Sequence, residues 1–329
     1  MDIKFTNLLP AMESINKELH EAINRVFDSG WYLRGKETDS FEKEWAEYCG
    51  QKYCVACGSG TDSLTLAALA MNLKEAEVQG NTIPLTAIGL HKAGVKIKIV
   101  EVNKNGHLLN VNDKSVPVLL YGRNPSKEEM QCNLFDAAHA HGWQPPSHAV
   151  ACWSFYPTKT LGAMGDAGAV TTNDLNIANT IKSLAGRDDI IRDNRQITSR
   201  IDEIQAAVLK VKLKRLNDWL KDRERIAKTY HNKLSKLAVD QLGSSRNHLF
   251  VIRPNIDRNL LKNYLLTEGI ETKIHFPSAL NKQITPWGEQ HELPMVELWC
   301  NTVLSLPCYP GLNDESIDYI CDKIMKKNG

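Results

Sequence analysis

In TDSFEKEWAEY, residues 38–48, the apolar positions Phe41, Trp45 and Tyr48 recur at steps of four and three. That spacing predicts a helix with one buried side, and Thr38 stands where a helix start takes a capping hydroxyl. Residues 52–57, KYCVAC, are apolar but too short for a helix and read as a strand. They run into GSGTDSLTLAALAM, where two glycines and a threonine open an apolar helix. The local order is strand, Gly-rich turn, helix.

Further on, short apolar runs at 96–102, 116–121, 132–135, 150–155 and 169–172 alternate with helical or irregular segments. Runs apolar on both faces suit strands of a mostly parallel central sheet flanked by helices, which makes the chain α/β. Residues 200–234 contain neither Gly nor Pro and carry Leu209, Leu213, Leu216 and Leu220 at helical steps, predicting one long helix or two abutting ones. A strand at 248–252, a helix at 258–268, a strand at 271–276 and a final helix capped by Asn313 before Asp314 and Glu315 then predict a smaller α/β unit. The expected division is a large domain over 1–235 and a small one over 236–329, with the N-terminal segment packing on the small domain. No internal repeat or low-complexity tract interrupts this order.

Composition narrows the function classes. The chain has 329 residues, 42% hydrophobic and 24% charged, with a formal net charge of +1. Near-neutrality offers no electrostatic case for a nucleic-acid or membrane partner. The basic run KVKLKR at 210–215 reads as the solvated face of a helix. The first residues hold acids and bases without a long apolar run, so neither a signal peptide nor a membrane span is expected, and the protein reads as cytoplasmic. Its eight scattered cysteines should then stay reduced. Cys54 and Cys57 have redox-motif spacing but lie in a predicted strand without a second pair, so core packing is expected of them.

Three segments carry candidate chemistry. Gly58-Ser59-Gly60-Thr61, opening a helix, can cradle a phosphate with its amides and hydroxyls. It lacks the third glycine of a dinucleotide fingerprint, which speaks against a nicotinamide-dependent oxidoreductase. Asp136 ends an apolar run, at the sheet edge where α/β proteins bind ligands, and can hold a proton on a ring nitrogen. His139 and His141 follow at a spacing that does not point both rings the same way, so no metal site is expected. Lys159 lies in SFYPTKTLGAMGDAGAV, between an apolar approach and the close-packed Gly162, Gly165 and Gly168. Burial there lowers an amine's pKa, and a neutral amine can form a Schiff base. Each segment alone has a plainer reading: a capped turn, a strand-end carboxylate, a solvated lysine. Together they meet the three needs of pyridoxal phosphate, an anchored phosphate, a protonated ring nitrogen and an imine-forming lysine.

With these motifs the chain resembles the DegT/DnrJ/EryC1/StrS family of pyridoxal-phosphate-dependent nucleotide-sugar aminotransferases. The likeness runs through GWYLRGKETDSFEKEWAEYCG, CGSGTDSL, FDAAHAHG, SFYPTKTLGAMGDAGAV, SRIDEIQAAVLKVKL, GIETKIHFP and VLSLPCYPGLNDESID. It implies an aspartate-aminotransferase-like fold, pyridoxal-phosphate fold type I. By the resemblance Lys159 is the Schiff-base lysine and the base that shuttles the proton; related sugar dehydratases carry histidine there. Asp136 pairs with the pyridine nitrogen, Gly60, Thr61 and Ser154 hold the phosphate, and His139 lies beside the ring hydroxyl. Thr198 and Arg200 reach the phosphate of the neighbouring subunit, which implies a homodimer with shared sites. Tyr32, His275 and Phe276 fall at substrate-binding positions.

The resemblance further implies a two-stage transfer from L-glutamate, through pyridoxamine phosphate, to a nucleotide-linked keto-6-deoxysugar. The Ile274-His275-Phe276-Pro277 segment, with Gln283 downstream, prefers C3 to C4 as the aminated carbon. Ile83 replaces an aromatic over the cofactor, Thr198 an asparagine and Leu119 a histidine. The chain is shorter than the family norm between Asn103 and Pro117, between Gly122 and Asp136, and around 143–149, where outer helices and a hairpin would lie. A pared-down fold with exposed apolar sheet surface is therefore expected. The alternative is an inactive protein of the same fold, kept for regulation or assembly.

Overall fold

A computed structural model describes residues 1–187, 194–235, 239–241, 246–283 and 291–328. Helices α1 (Leu9–Glu13), α2 (Asn16–Ser29) and α3 (Lys36–Tyr48) come first, followed by β1 (Tyr53–Cys57), α4 (Gly60–Ala70), β2 (Glu75–Gln79), α5 (Pro84–Lys92) and β3 (Lys96–Val100). Then come β4 (Leu134–Asp136), β5 (Val150–Ser154), β6 (Gly168–Thr172), α6 (Leu175–Leu184), α7 (Glu203–Leu213) and α8 (Leu216–Leu234). The last elements are β7 (Val239–Gln241), β8 (Phe250–Pro254), α9 (Arg258–Thr267), α10 (Pro294–Thr302), β9 (Leu304–Leu306) and α11 (Asp314–Asn328). The predicted run over 200–234 is thus two helices, parted at Lys214 and Arg215.

Strands β1, β6, β5 and β4 lie side by side in that order. β6 runs against both its neighbours, while β4 and β5 are parallel. β2 and β3 form a separate parallel pair. Between the two sets lies the segment 115–118, expected as part of a strand and present as two isolated parallel bridges, Glu77 to Ser115 and Val118 to Asp136. Pro117 has no N–H to give a ladder, which explains why pairing stays broken there. The side-chain carbonyl of Gln79 takes the Val118 N–H instead, at 3.2 Å. This α/β layer matches the expected architecture, with β6 as its reversed strand. α4 packs on β5 and β6 over a core that includes Leu66, Val78 and Ile99; α3 covers the other side through Phe41, Trp45, Trp153 and Phe155.

The stretches 103–117 and 122–133 contain no α-helix, and 143–149 no hairpin. The expected exposure of apolar sheet surface does not follow. Along β2 and β3 the buried Ala76, Val78, Ile97 and Ile99 alternate with Glu75, Glu77, Lys96 and Lys98, so the uncovered face is charged. Glu77 pairs with Lys98 across it at 3.3 Å. Beside β4, the fully buried Glu129 accepts from both terminal nitrogens of Arg123 (2.6 and 2.9 Å) and from the amides of Leu108 (2.9 Å) and Ser126 (2.8 Å), with His107 Nδ1 at 2.9 Å. A buried ion pair holds only when most of its remaining valences are met; every contact to Glu129 is made, and of the Arg123 nitrogens only Nε lacks a partner among the described residues. This cluster ties together the loops that stand in for the outer helices.

β7, β8 and β9 form an antiparallel sheet, packed against α8, α9 and α11 through Tyr230, Phe250, Leu261 and Ile320. The expected strand over 271–276 reduces to one bridge, Lys273 to Ser305, because Pro277 follows and the chain turns inward at His275. The N-terminal segment reaches this region: Ile3 donates to the Gly269 carbonyl (2.8 Å) and accepts from the Glu271 amide (2.9 Å). The expected domain boundary at 235/236 abuts residues 236–238, which lie outside the described residues. α11 begins as expected, with Asn313 Oδ1 accepting from the Ser316 amide at 2.9 Å. Among the described residues no helix is long and apolar enough to cross a membrane.

Candidate active site

At the carboxyl ends of β4 and β5 a cavity of about 360 Å³ opens. That falls in the range of about 300–1,000 Å³ usual for small-molecule sites. Gly60, Thr61, Ile83, Asp136 and His139 line it, and so do Ser154, Lys159, His275 and Phe276. Nine positions singled out in the sequence therefore share one cavity. Tyr32, Thr198 and Arg200 do not line it.

One wall is the N-terminal turn of α4. The amides of Gly60 and Thr61 belong to the first turn of α4 and have no intrahelical acceptor. A Cβ on Gly60 would stand 2.6 Å from the Ser154 Cβ, so glycine is what lets this helix end reach the tip of β5. Ser199, which the sequence did not single out, fixes the turn: its hydroxyl takes the Gly58 N–H at 2.9 Å and donates to Asp62 at 2.8 Å. Thr82 Oγ1 is buried beside the cavity without a hydrogen-bond partner among the described residues, a polar atom left for a ligand.

Across from it, Asp136 accepts from the Thr86 hydroxyl (2.7 Å) and the Ala138 amide (3.0 Å). Burial pushes its carboxyl above the ordinary range, while these two donors and the Lys159 charge pull it back down. Lys159 leaves a tight turn in which its amide bonds the Tyr156 carbonyl and Ala163 returns to Phe155, both at 2.8 Å. A Cβ on Gly162 would lie 2.3 Å from the Pro157 oxygen, which is why the turn needs glycine there. Enclosure by protein lowers the Lys159 amine to about 8, against a weaker upward pull from Asp136. A useful fraction is therefore neutral near physiological pH.

The basic run at 210–215 is not a uniformly solvated face. Lys212 is only 4% exposed and donates to the Gly162 carbonyl at 2.7 Å, holding the Lys159 turn against α7. Burial lowers its pKa to about 8. Leu213 packs against the core cluster that holds Leu161 and Ala163 and brings Lys212 to the turn with it, a reach that sequence periodicity does not reveal.

His139 Nδ1 lies 3.1 Å from the Tyr121 amide and accepts from it, which leaves Nε2 carrying the proton. Its ring packs 4.4 Å from that of His248, read in the sequence only as the start of a strand. Burial holds both imidazoles well below their usual pKa, so both are neutral donors or acceptors. His141 diverges from His139 into a cage of Trp45, Trp153 and Phe155. Leu119 points into the same apolar core, away from the cavity. All eight cysteines are buried and unpaired, with burial lifting the Cys57 thiol to about 12.

Tyr32, Thr198 and Arg200 lie on neighbouring segments, where Leu33 bridges Asp202 and the Tyr32 carbonyl takes the Glu203 amide at 2.9 Å. Trp31, Tyr32 and Leu33 are exposed there by 62%, 49% and 42%, an uncovered apolar strip. Among the described residues Arg200 has no acidic partner.

The DegT/DnrJ/EryC1/StrS aminotransferase family matches residues 13–113 and 130–325, a break that falls across the shortened stretches. The chain is 32% identical to the erythromycin biosynthesis sensory transduction protein EryC1 of Saccharopolyspora erythraea, covering 97% of this chain and 98% of that one. It is also 32% identical to the dTDP-3-amino-3,6-dideoxy-alpha-D-galactopyranose transaminase of Aneurinibacillus thermoaerophilus, over 98% and 99% of the two chains. Among solved structures, S. venezuelae DesV in complex with a ketimine intermediate superposes with a TM-score of 0.92 at 30% identity, covering 99% of this chain and 98% of that one.

Proposed function

Because the chain belongs to the DegT/DnrJ/EryC1/StrS aminotransferase family, we propose that it moves an amino group from L-glutamate to C3 of a nucleotide-linked keto-6-deoxysugar, with pyridoxal phosphate as cofactor. The observation that carries the reading is the Lys159 amine, lowered to about 8, in one cavity with Asp136 and the α4 N-terminus. The unpartnered Thr82 hydroxyl, the glycine-only approach at Gly60 and the buried Asp136 carboxyl facing the cavity fit that cofactor. Gly60, Thr61 and Ser154 would hold its phosphate, Asp136 the proton on its ring nitrogen, and His139 Nε2–H its ring hydroxyl. When bound, it supplies an aldehyde that condenses with amines and a ring that takes up the electrons released at the reacting carbon.

The chain's own residues do the rest. Lys159 Nζ is neutral in part near physiological pH, and would act as the base that takes the proton from the donor carbon in the first half-reaction and returns one to the acceptor carbon in the second. The Thr86 and Ala138 bonds favour the ionised form of Asp136 against the opposing effect of burial, and so orient its oxygens for a protonated ring nitrogen. His275 and Phe276 wall the side on which the acceptor sugar lies. The choice of C3 rests on that wall and on the 3-amino sugar in the name of the Aneurinibacillus relative.

The test is to load the protein with pyridoxal phosphate and follow its visible absorbance on adding L-glutamate, then a dTDP-3-keto- or 4-keto-6-deoxyhexose. Loss of the band with glutamate and its return with the 3-keto sugar are expected. A protein that binds the cofactor yet responds to no amino donor is the inactive, regulatory form of this fold.

We also propose a homodimer in which Tyr32, Thr198 and Arg200 complete the partner's site, supported by their place outside the cavity beside the exposed Trp31–Leu33 strip. Mixing Lys159→Ala with Arg200→Ala protein under subunit exchange should then restore about a quarter of wild-type activity, since half the dimers are mixed and each holds one intact site. No recovery on mixing means the sites are not shared.

A further inference from the structure

Tyr121 is a buried aromatic, 3% exposed, whose backbone sits at φ 63° and ψ 0°. A left-handed conformation is costly for a bulky side chain and persists only where the surroundings hold it. Here they hold it from three sides. The amide of Tyr121 donates to His139 Nδ1 at 3.1 Å. Its carbonyl accepts from Leu249, next to His248, at 3.3 Å. Its hydroxyl donates to the His275 carbonyl. The ring stacks on Trp299 of α10 at 6.1 Å and 18°. One residue thus binds the piece of the cavity built on β4, the start of β8 and the His275–Phe276 wall.

The two ends of this link serve different partners. The amide sets the tautomer of His139, so that Nε2–H faces the cofactor side; the hydroxyl sets the carbonyl of the residue whose ring, with Phe276, walls the acceptor side. We infer that Tyr121 is a positioning residue that holds the acceptor wall in register with the cofactor side, so that acceptor binding depends on its hydroxyl and donor turnover does not. The inference rests on the reading of His275 and Phe276 as acceptor contacts.

Tyr121→Phe isolates the point, since it keeps the ring, the backbone and the bond to His139 while deleting one donor. Hydrogen–deuterium exchange of the peptide spanning 271–279 should rise severalfold in the cofactor-free protein, with the peptide spanning 134–141 unchanged. In the loaded enzyme KM for the keto-sugar should rise about fivefold, the worth of one such bond. The rate of absorbance loss with L-glutamate should stay within a factor of two. Tyr121→Asn, which tolerates the left-handed backbone and also lacks the phenol, should show the same split. Unchanged exchange over 271–279, or equal losses in both half-reactions, overturns the inference. If the wild-type protein itself fails to respond to glutamate, the transaminase reading falls, and the exchange experiment still decides whether Tyr121 holds the wall.

Discussion

Lys159→Ala protein supplied with pyridoxal phosphate is expected to lose amine exchange with L-glutamate by about 10³-fold or more, because under the proposed function one side chain is both the imine partner and the proton carrier. The readout is the rate of visible-absorbance change, and a loss of less than tenfold would mean that another group moves the proton. Stability should move the other way. The folded pKa of Lys159, about 8, lies below the 10.5 of an ordinary lysine, so the unfolded chain holds this proton more tightly. The resulting penalty is fully present below pH 8 and fades as pH rises towards 10.5. Replacing the amine with an apolar chain in Lys159→Met should therefore stabilise the cofactor-free protein at pH 7, by roughly 1 kcal/mol after allowance for the open cavity. The gap should close above pH 10.5. A thermal-unfolding series across this range reads it, and a Lys159→Met protein less stable than wild type at pH 7 would show that the amine is not kept from water.

Asp136→Asn is the second large effect. The amide fills the same space beside Thr86 and Ala138, yet cannot hold a proton on a ring nitrogen, so the glutamate-driven rate should fall about 10²-fold or more. Two further shifts follow from the signs. Removing the carboxylate removes the charge that raises Lys159, so the lysine pKa should move below its present value of about 8. Burial raises the folded pKa of Asp136 above that of a free carboxyl, so its ionised form costs stability at neutral pH and the cost disappears in acid. Asp136→Asn should accordingly unfold at a higher temperature than wild type at pH 7, the difference shrinking as pH falls through the carboxyl range. A cavity in which Lys159 and Asp136 both destabilise the empty protein is, under the proposed function, kept for what it binds rather than for folding. Equal melting temperatures for wild type and Asp136→Asn at pH 7 would deny this.

The expectation of a thinned fold was right about where helices are missing and wrong about the consequence. Loss of a covering helix exposes apolar surface only if the strands beneath keep both faces apolar. In β2 and β3 one face carries Glu75, Glu77, Lys96 and Lys98. That alternation is present in the sequence, but 96–102 taken alone, without the strand at 75–79 beside it, does not show which face is covered.

What the sequence determined by itself is local. The helical spacing of Phe41, Trp45 and Tyr48, the glycines of GSGT and the turn glycines around Lys159 act on their own neighbourhoods, because backbone freedom and apolar periodicity are decided within a few residues. For the same reason Asp136 could be placed at a strand end and the Asn313 cap foreseen. What only the tertiary structure decided is which distant groups complete those local features. Thr38 does not cap α3: Gly35 precedes that helix, and the amides of Gly35, Glu37 and Thr38 go to Glu203, more than 160 residues away (2.9, 2.8 and 3.1 Å). Lys212 reaches the Lys159 turn, Thr86 reaches Asp136 and Tyr121 reaches both His139 and His275 in the same way. A buried donor or acceptor must find a partner, and the pattern along a chain says that it is buried without saying what lies opposite; that is settled only when the layers pack.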